Sequence, residues 1–299
     1  MNWTITDLET FLAVLDAGSI SGAAARADLS KSVISKRISD FEANLGVPLF
    51  TRHAGRITPT DNASELAERL RPALAELIAA TESATGHQTE LRGRLAIAAP
   101  MSFGIHFLGP VIAGFARAHP RLDIVLDYDD QLTDLARMGF DVGIRVGQMK
   151  DSTLMARRIC EDQQVLVASP DYLAMTGAIT RPEDLAGHRL ISYLNMRMGD
   201  IWPYAGIAPP PVGRITANNG EAMRDMAMGG LGLALLPMFL THEALRRGDL
   251  VRILPDLPRN PMPIHVVWPP IRPLPQKTRL FIDHVAAAFA DEPPWKVGI

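Results

Sequence analysis

The chain has 299 residues, a formal net charge of −3, a single cysteine and 47% hydrophobic residues. The length favours about two folded domains, and the single cysteine excludes an intramolecular disulfide. Because the net charge is close to zero, nucleic-acid binding has to be judged from local patches of charge. The first residues have no cationic region and no apolar run approaches about 18 residues. We therefore expect no signal peptide, no membrane span and a cytoplasmic protein.

Three helices are predicted within the first 46 residues. Thr6 or Asp7 is placed to cap the first helix, which ends at Gly18. An alanine-rich second helix ends near Asp28, and Ser30 is placed to cap the third. Because only a few residues separate the second helix from the third, the pair has the form of a helix-turn-helix.

The spacing inside this pair supports that interpretation. A helix-turn-helix needs a small residue where its helices cross, a turn residue that tolerates a left-handed conformation, and an apolar residue further on. Ala24, Asp28 and Ile34 fit these positions, with Leu29 just after the turn, and aspartate can adopt the left-handed region at some cost. An ordinary three-helix bundle fits the same helices, so the spacing alone leaves that alternative open.

The third helix is predicted to have one apolar face and one thin, cationic face. Ile34, Ile38, Phe41 and Leu45 fall on one side at helical spacing. A solvated face usually mixes glutamate with lysine, whereas the opposite side here has short hydroxyls and cations suited to a negative surface. The candidate DNA-contacting residues on and beside this face, with Ser39 at its edge, are Ser30, Lys31, Ser32, Ser35, Lys36 and Arg37.

The segment after the third helix predicts a two-stranded wing with a cationic tip. Arg52, His53 and Arg56 lie at this tip, where they can reach phosphates or a minor groove. Simple solvation also explains exposed arginines on a turn. The five lysines and arginines against two acids between Lys31 and Arg56 favour nucleic acid.

A long amphipathic helix is predicted to follow the wing. Pro72 should bend it, and we expect the same helix of a second chain to cover its apolar side. This side consists of Leu66, Leu70, Leu74, Leu77 and Ile78.

From Gly93 onward, short apolar strands alternate with helices, and a last helix is predicted from Gln276 to Phe289. This alternation predicts parallel βαβ units. One α/β domain of about 200 residues fits the pattern, but the number of short strands favours two smaller lobes with strands crossing between them.

The residues that carry a family resemblance are DLETFLAVLDAGSISGAAARADLSKSVISKRISDFEANLGVPLFTR near the start and DVGIRVG, DSTLMARRI, LVASPDYL, RPEDLAGHRLI and GGLGLALLP later. Over essentially its whole length the chain resembles LysR-type transcriptional regulators. The resemblance implies an all-α winged helix-turn-helix domain (1–59), a linker and dimerisation helix (60–90), and a two-lobed α/β effector domain like that of periplasmic binding proteins (91–299). Lobe 1 would be about 91–161 and 267–299 and lobe 2 about 162–266, with crossings near Ile159–Gln164 and Met262–Val267.

The resemblance also implies a mechanism and a set of partners. The third helix would lie in the major groove of a double-stranded operator. The linker helix would form a homodimer, and dimers would pair into a tetramer, although the choice between dimer and tetramer stays open. Bound effector would change the DNA geometry that RNA polymerase meets. Lys31 and Lys36 stand where relatives often have glutamine and arginine, so the operator sequence cannot be transferred from them.

A small-molecule effector is expected between the lobes. In AAPMSFG a strand ends and a helix begins, which places Ser102 at a natural anion site, although a capping role alone also explains this serine. NNGEAM has the same form. Met101 and Phe103 suit an aromatic or partly apolar organic acid. The candidate effector-binding residues are Met101, Ser102, Phe103, Tyr128, Asp129, Gly147, Gln148 and Asn219.

Other classes of function fit less well. An enzyme would need a reactive constellation, but Cys160 has no His/Asp partners at a recognisable spacing, and GGLGLA follows a helix and precedes a strand, the reverse of a phosphate loop. The histidines have no metal-ligand spacing, so we expect no metal, no cofactor and no catalysis. A periplasmic-type binding module, and a helical front end that binds protein rather than DNA, remain as alternatives.

Overall fold

The computed structural model describes residues 3–27, 29–53, 56–85, 90–131, 134–149, 153–195, 202, 204, 206–258, 260–271, 274–291, 293 and 295. The chain divides into two compact units. The amino-terminal unit consists of residues 1–87 with two short pieces, 136–139 and 271–275, and the carboxy-terminal unit comprises the remaining residues. In the part of the chain that the structure describes, no helix is long and apolar enough to cross a membrane.

The amino-terminal unit has four helices and two strands among its described residues. They are α1 (Ile5–Ala17), α2 (Ile20–Arg26), α3 (Lys31–Leu45), β1 (Phe50–His53), β2 (Arg56–Pro59) and α4 (Asp61–Thr85). Strands β1 and β2 pair in antiparallel register, from Phe50 opposite Pro59 to His53 opposite Arg56. This pairing confirms the predicted wing.

Helix α1 begins earlier than the sequence pattern predicts. Thr4 is its N-cap, because Thr4 Oγ1 accepts the Asp7 N–H at 3.3 Å and Asp7 Oδ2 accepts the Thr4 N–H at 2.8 Å. This reciprocal pair is a capping box. Thr6 and Asp7 therefore lie inside the helix, and the prediction that one of them is the cap is wrong.

Helices α2 and α3 form the predicted helix-turn-helix. Ser30 caps α3 by accepting the Val33 N–H at 3.3 Å, and Ala24 and Ile34 are buried where the motif needs a crossing residue and an apolar residue. Asp28, the predicted turn residue, lies outside the described residues. The positions around the turn thus satisfy the predicted pattern.

The core of this unit forms where α1, α3 and β1 meet. The ring of Phe11 lies with its centroid 6.0 Å from that of Phe41 and 5.8 Å from that of Phe50. Ile34 and Ile38 are buried beside these rings, and each fully buried side chain contributes about 1.5–3 kcal/mol. The predicted apolar face of α3 is confirmed, with its last member, Leu45, only partly buried.

Much of the apolar side of α4 packs against the core of its own unit. Leu66, Leu70 and Leu74 pack against the core that α3 also covers, whereas Leu77, further along the helix, is 44% exposed. Pro72 lies inside the helix, as expected. These three leucines are only partly buried, so the expectation that a second chain covers the stripe stays a prediction.

The carboxy-terminal unit is built from nine strands and the helices between them. Its strands are β3 (Gly93–Ala99), β4 (Leu122–Tyr128), β5 (Val142–Val146), β6 (Met155–Ala168), β7 (Leu190–Tyr193), β8 (Val212–Ala217), β9 (Ala234–Pro237), β10 (Val251–Arg252) and β11 (Asn260–Trp268). Its helices are α5 (Met101–Phe103), α6 (Gly109–Ala118), α8 (Pro170–Thr176), α9 (Gly220–Met228), α10 (Met238–Arg247) and α11 (Gln276–Ala288). A short helix, α7 (Leu135–Met138), begins in this unit and continues into the piece 136–139 of the amino-terminal unit. A π-helical turn, Gly104–Leu108, joins α5 to α6.

One seven-stranded sheet runs through this unit in the order β10-β6-β11-β5-β3-β4, and β9 also pairs with β6. Strand β3 is parallel to β4 and β5, whereas β11 is antiparallel to β5 and β6. Strands β7 and β8 form a separate parallel pair. This mixture of parallel units and long antiparallel strands is the α/β class that the sequence predicts.

Strands β6 and β11 connect two lobes. The first half of β6 pairs with β11 beside β5, while its second half pairs with β9 and β10. We call β3, β4, β5, α5 and α6 lobe 1, and β7, β8, β9, β10, α9 and α10 lobe 2. The two crossing strands are hydrogen-bonded to each other, and we call this pair the hinge.

Candidate nucleic-acid interface and effector site

Helix α3 presents the predicted polar face to solvent. Lys31, Ser32, Lys36 and Ser39 are exposed, whereas Ser35 and Arg37 are half-buried. The hydroxyl oxygens of Ser30 and Ser32 lie 2.8 Å apart at the start of the helix. Short side chains next to cations let a helix approach a polyanion closely, so this face has the shape and charge that a DNA groove requires.

The wing tip is defined by its backbone. His53 and Arg56 are the last paired residues before the turn, and Arg52 pairs with Ile57 one step earlier. The side chains of Arg52, His53 and Arg56 lie outside the described part of the chain. Their proposed contacts with DNA therefore stay predictions.

Glu42 is a residue whose role the sequence did not reveal. Its Oε1 accepts the N–H of Leu49 at 2.8 Å and that of Phe50 at 2.9 Å. These bonds tie the end of α3 to the start of the wing. In the sequence Glu42 counted only as an acid that opposes DNA binding, and nothing local distinguishes it from other surface glutamates.

At the start of α5, three predicted effector residues have different surroundings. Met101 is 40% exposed, Ser102 is 4% exposed, and the Ser102 hydroxyl has no hydrogen-bond partner among the described residues. Phe103 is fully buried in an aromatic cluster. The other rings of this cluster are Phe107, Phe239, Phe289 and Trp295.

The buried position of Phe103 weakens its predicted role as an effector contact. Its ring centroid lies 5.5–5.6 Å from those of Phe107, Phe239 and Phe289. A side chain held in such a cluster stabilises the fold and presents no surface to a small molecule. The ligand contact of Phe103 therefore has no support in this packing.

Tyr128 is the last residue of β4, and Asp129 follows it at the same end of the sheet. The Tyr128 ring packs over Gly104, where an added Cβ would come within 2.7 Å of a ring carbon, and burial raises the pKa of Tyr128. Its hydroxyl has no partner in the described part of the chain. Asp129 is exposed and accepts the Gln131 N–H at 2.9 Å within the turn.

Gly147 and Gln148, at the end of β5, lie against a crossing strand. The Gly147 N–H donates to the Pro263 carbonyl at 3.0 Å, and Gln148 Nε2 lies 3.5 Å from the Pro261 carbonyl. Gly147 has φ +102°, a conformation that favours glycine. These two residues are thus positioned by β11 of the hinge.

Asp130 joins lobe 1 to lobe 2 and was not among the predicted residues, because no local signal distinguishes it from its neighbour Asp129. Its Oδ1 accepts the Met101 N–H at 2.9 Å, and its Oδ2 accepts the Asn219 amide at 3.1 Å. Burial raises the pKa of Asp130, and the charges of Asp129 and Glu221 add to this rise, while the two hydrogen bonds oppose it.

Two further groups accompany Asp130 at the lobe junction. Burial, followed by the negative charge of Asp130, raises the pKa of Tyr193 to about 12. The Nε2 atom of His106 in lobe 1 contacts the Glu221 carboxylate of lobe 2. The structure therefore brings Met101 and Asn219 together through a residue that was not on the predicted list.

No group of three or more His, Cys, Asp or Glu side chains among the described residues could hold a metal ion. Cys160 is buried on β6, opposite Ile264 of β11. The arrangement is suited to binding and to a change in lobe position.

A winged helix-turn-helix that precedes a two-lobed α/β domain defines the class of DNA-binding transcriptional regulators that respond to small molecules. Family models agree with this class. The bacterial regulatory helix-turn-helix protein model of the lysR family matches residues 5–64, and the LysR substrate binding domain model matches residues 88–290. The chain belongs to the LysR family of transcriptional regulators.

Individual relatives support the assignment over the full length. The HTH-type transcriptional regulator PtxR of Pseudomonas aeruginosa is 33% identical over 293 residues, which cover 97% of this chain and 94% of PtxR. The full-length structure of the Vibrio cholerae virulence activator AphB is 30% identical, has a TM-score of 0.57, and matches 95% of this chain and 99% of its own. The structure of CrgA from Neisseria meningitidis has a TM-score of 0.61 at 25% identity, over 97% of this chain and 100% of its own.

Proposed function

We propose that this LysR-family regulator reads its operator with the exposed face of α3 and the tip of the wing. The observation that carries the proposal is the division of α3 into a buried apolar face and an exposed face of hydroxyls and cations. Ser32, Ser35 and Lys36 would approach bases and phosphates in the major groove. Arg52, His53 and Arg56 would contact the backbone or the minor groove beside it.

The first test is a footprint of the purified protein on the DNA upstream of its own gene at two salt concentrations. A symmetric protected site that weakens with salt is expected, because lysines and arginines release counterions from the phosphates they contact. If this fragment shows no protection, random-sequence selection supplies an operator. A protein that selects no sequence at all contradicts the proposal.

The second test removes one cation from the proposed reading face. Lys36→Ala should weaken operator binding and lower the salt slope by about one, as expected for one lost phosphate contact. Arg121→Ala removes the same charge from an exposed position of the carboxy-terminal unit and should leave both quantities unchanged. Equal behaviour of the two variants would mean that α3 is not the reading helix.

We further propose that a small organic molecule, an organic acid in the first instance, binds between the lobes near Ser102. The buried Ser102 hydroxyl without a described partner supports this placement, with Met101, Tyr128, Asp129, Gly147, Gln148 and Asn219 around it. Ser102→Ala should leave operator affinity unchanged and reduce the response to the effector. An unchanged response would contradict this placement of the site.

The remaining partners follow from this mechanism. Two chains would pair through α4, whose Leu77 is exposed, and dimers would pair into tetramers. Bound effector would alter the angle between lobes and thereby the DNA bend that RNA polymerase meets. The protein would act in the cytoplasm without a cofactor or a catalytic step. Light scattering of the purified chain tests the oligomeric state, and a monomer at micromolar concentration would contradict the pairing.

A further inference from the structure

The chain itself supplies the carboxylate that joins the two lobes. Asp130 lies just after β4 of lobe 1, accepts the backbone N–H of Met101 at 2.9 Å, and accepts the side-chain amide of Asn219 in lobe 2 at 3.1 Å. We call Asp130, the Met101 N–H and the Asn219 amide the interlobe latch. It lies beside Ser102, in the region proposed for the effector.

The direction of the bond across the lobes is fixed by the cap of α9. Asn219 Oδ1 accepts the N–H of Glu221 at 3.0 Å and that of Ala222 at 3.2 Å. Because this oxygen is committed to the helix, the amide nitrogen must face Asp130. The Asn219 side chain therefore donates a hydrogen bond and selects an acceptor on the other lobe.

The acceptor has a negative environment. Asp129 lies next to Asp130 in the chain, Glu221 faces it from α9, and Tyr193 lies beside it on β7. His106, from the π-helical turn, is bound to Glu221. Three carboxylates thus share the junction, and holding the half-buried Asp130 charged there costs free energy. The Met101 N–H and the Asn219 amide nevertheless hold a carboxylate at this point, so these two donors fit that group.

The neighbouring hydroxyl supports a ligand in the same place. Ser102 is 4% exposed, and its hydroxyl has no hydrogen-bond partner among the described residues. It directly follows Met101, whose N–H is part of the interlobe latch. A small carboxylate at this point would find the Met101 N–H, the Ser102 hydroxyl and the Asn219 amide as donors.

We propose that Asp130 occupies the donors that a carboxylate effector needs, so that such an effector binds by displacing Asp130 from the Met101 N–H and the Asn219 amide. This inference rests on the proposal that the lobe junction is the effector site. Asp130 then determines specificity, because an effector must offer its own carboxylate in exchange. Displacement would free the lobes from the one bond that Asp130 makes between them.

A reciprocal exchange tests the latch without any effector. Asn219→Asp keeps a side chain that can cap α9 but replaces the donating amide with a second carboxylate, and should lower the midpoint of thermal unfolding of the full-length protein. Adding Asp130→Asn restores a donor and an acceptor in reversed order and should recover most of that loss. If the loss in the double variant equals the sum of the two single losses, the latch is overturned.

Chemical rescue tests the displacement. In Asp130→Ala the donors are open, so acetate should raise the unfolding midpoint by about 2–4 °C more than it does in the wild type, compared with chloride at equal ionic strength. Asp127→Ala, which removes an exposed carboxylate of β4 that is not part of the proposed site, should behave like the wild type. Equal acetate effects in all three proteins would overturn the proposal. Neither experiment involves DNA, so a failed footprint and a failed latch are separate outcomes.

Discussion

Asp16 on α1 and Arg71 on α4 form a largely buried ion pair, with Arg71 Nη2 2.5 Å from Asp16 Oδ1 and both side chains 15% exposed. A second contact joins Nη1 to Oδ2 at 3.5 Å. Planar guanidinium and carboxylate groups that meet in this paired way fix both position and orientation. The pair therefore holds the first helix of the DNA-binding domain at a defined place on the linker helix.

Arg71→Ala should lower the free energy of unfolding by on the order of 3 kcal/mol, because it leaves the Asp16 carboxylate in a largely buried position without its guanidinium partner. Urea unfolding measures this loss. Arg69→Ala is the matched control, since Arg69 pairs with Glu65 on the same helix but the two side chains are 80% and 67% exposed. The control should lose under about 0.5 kcal/mol. Similar losses in both variants would contradict a structural role for the Asp16–Arg71 pair.

Glu42→Ala should destabilise the amino-terminal unit by about 2 kcal/mol, because the N–H groups of Leu49 and Phe50 lose a charged acceptor. Operator affinity should fall as well, since the wing is no longer fixed to α3. Glu42→Gln retains an acceptor oxygen and should lose less. Unfolding and operator titrations check both effects, and the exposed Asp40→Ala serves as control. If the Glu42→Ala protein is as stable as the Asp40→Ala protein, the hydrogen bonds of Glu42 to the wing do not stabilise the unit.

Gly104→Ala should destabilise the carboxy-terminal unit by about 1–3 kcal/mol, because the new methyl group would come within 2.7–2.9 Å of the Tyr128 ring. Gly109→Ala adds the same group to the same helical segment, where the nearest atom is 3.6 Å away. It should be neutral or stabilising by up to about 1 kcal/mol, since alanine favours helix. Thermal unfolding of the two variants measures both changes in stability. Equal changes would show that the Tyr128 ring moves freely.

The stability of the wild type relative to Asp130→Asn should fall as the pH rises. Burial, with the charges of Asp129 and Glu221, raises the pKa of Asp130 in the folded protein above its ordinary value of 3.8. The folded state then binds this proton more tightly than the unfolded state does. Asp130 therefore contributes a stabilising free energy that is fully present below pH 3.8 and is lost as the pH rises through the folded pKa. Urea unfolding of both proteins between pH 4 and 7 measures the difference, and parallel pH profiles would contradict it.

Helix α3 could be predicted because its signal is local. Ile34, Ile38 and Phe41 recur at helical spacing, and each is at most 1% exposed in the folded unit. The cap at Ser30 and the strand pair of the wing also follow from neighbouring residues. Alternating strands and helices likewise indicated the α/β class, since periodicity reports which side of an element is buried.

The region proposed for the effector could be predicted only approximately. Strand ends at Met101, Tyr128 and Gly147 meet at one edge because parallel strands place them there. Phe103 was predicted as a contact because an aromatic side chain suits a ligand, but packing placed it in the core. Asp130 was not predicted, because two adjacent aspartates look alike in the sequence and only the structure shows that one of them bridges Met101 and Asn219.

The sequence by itself determined which residues form helices and strands, which faces are apolar, and that an exposed cationic helix precedes a two-lobed domain. Only the tertiary structure decided which polar groups meet. Asp16 and Arg71 are 55 residues apart and Asp130 and Asn219 are 89 apart, and no local pattern couples positions at such distances. The reason is that periodicity arises from the backbone geometry of one element, whereas a bond between distant side chains depends on how complete elements pack.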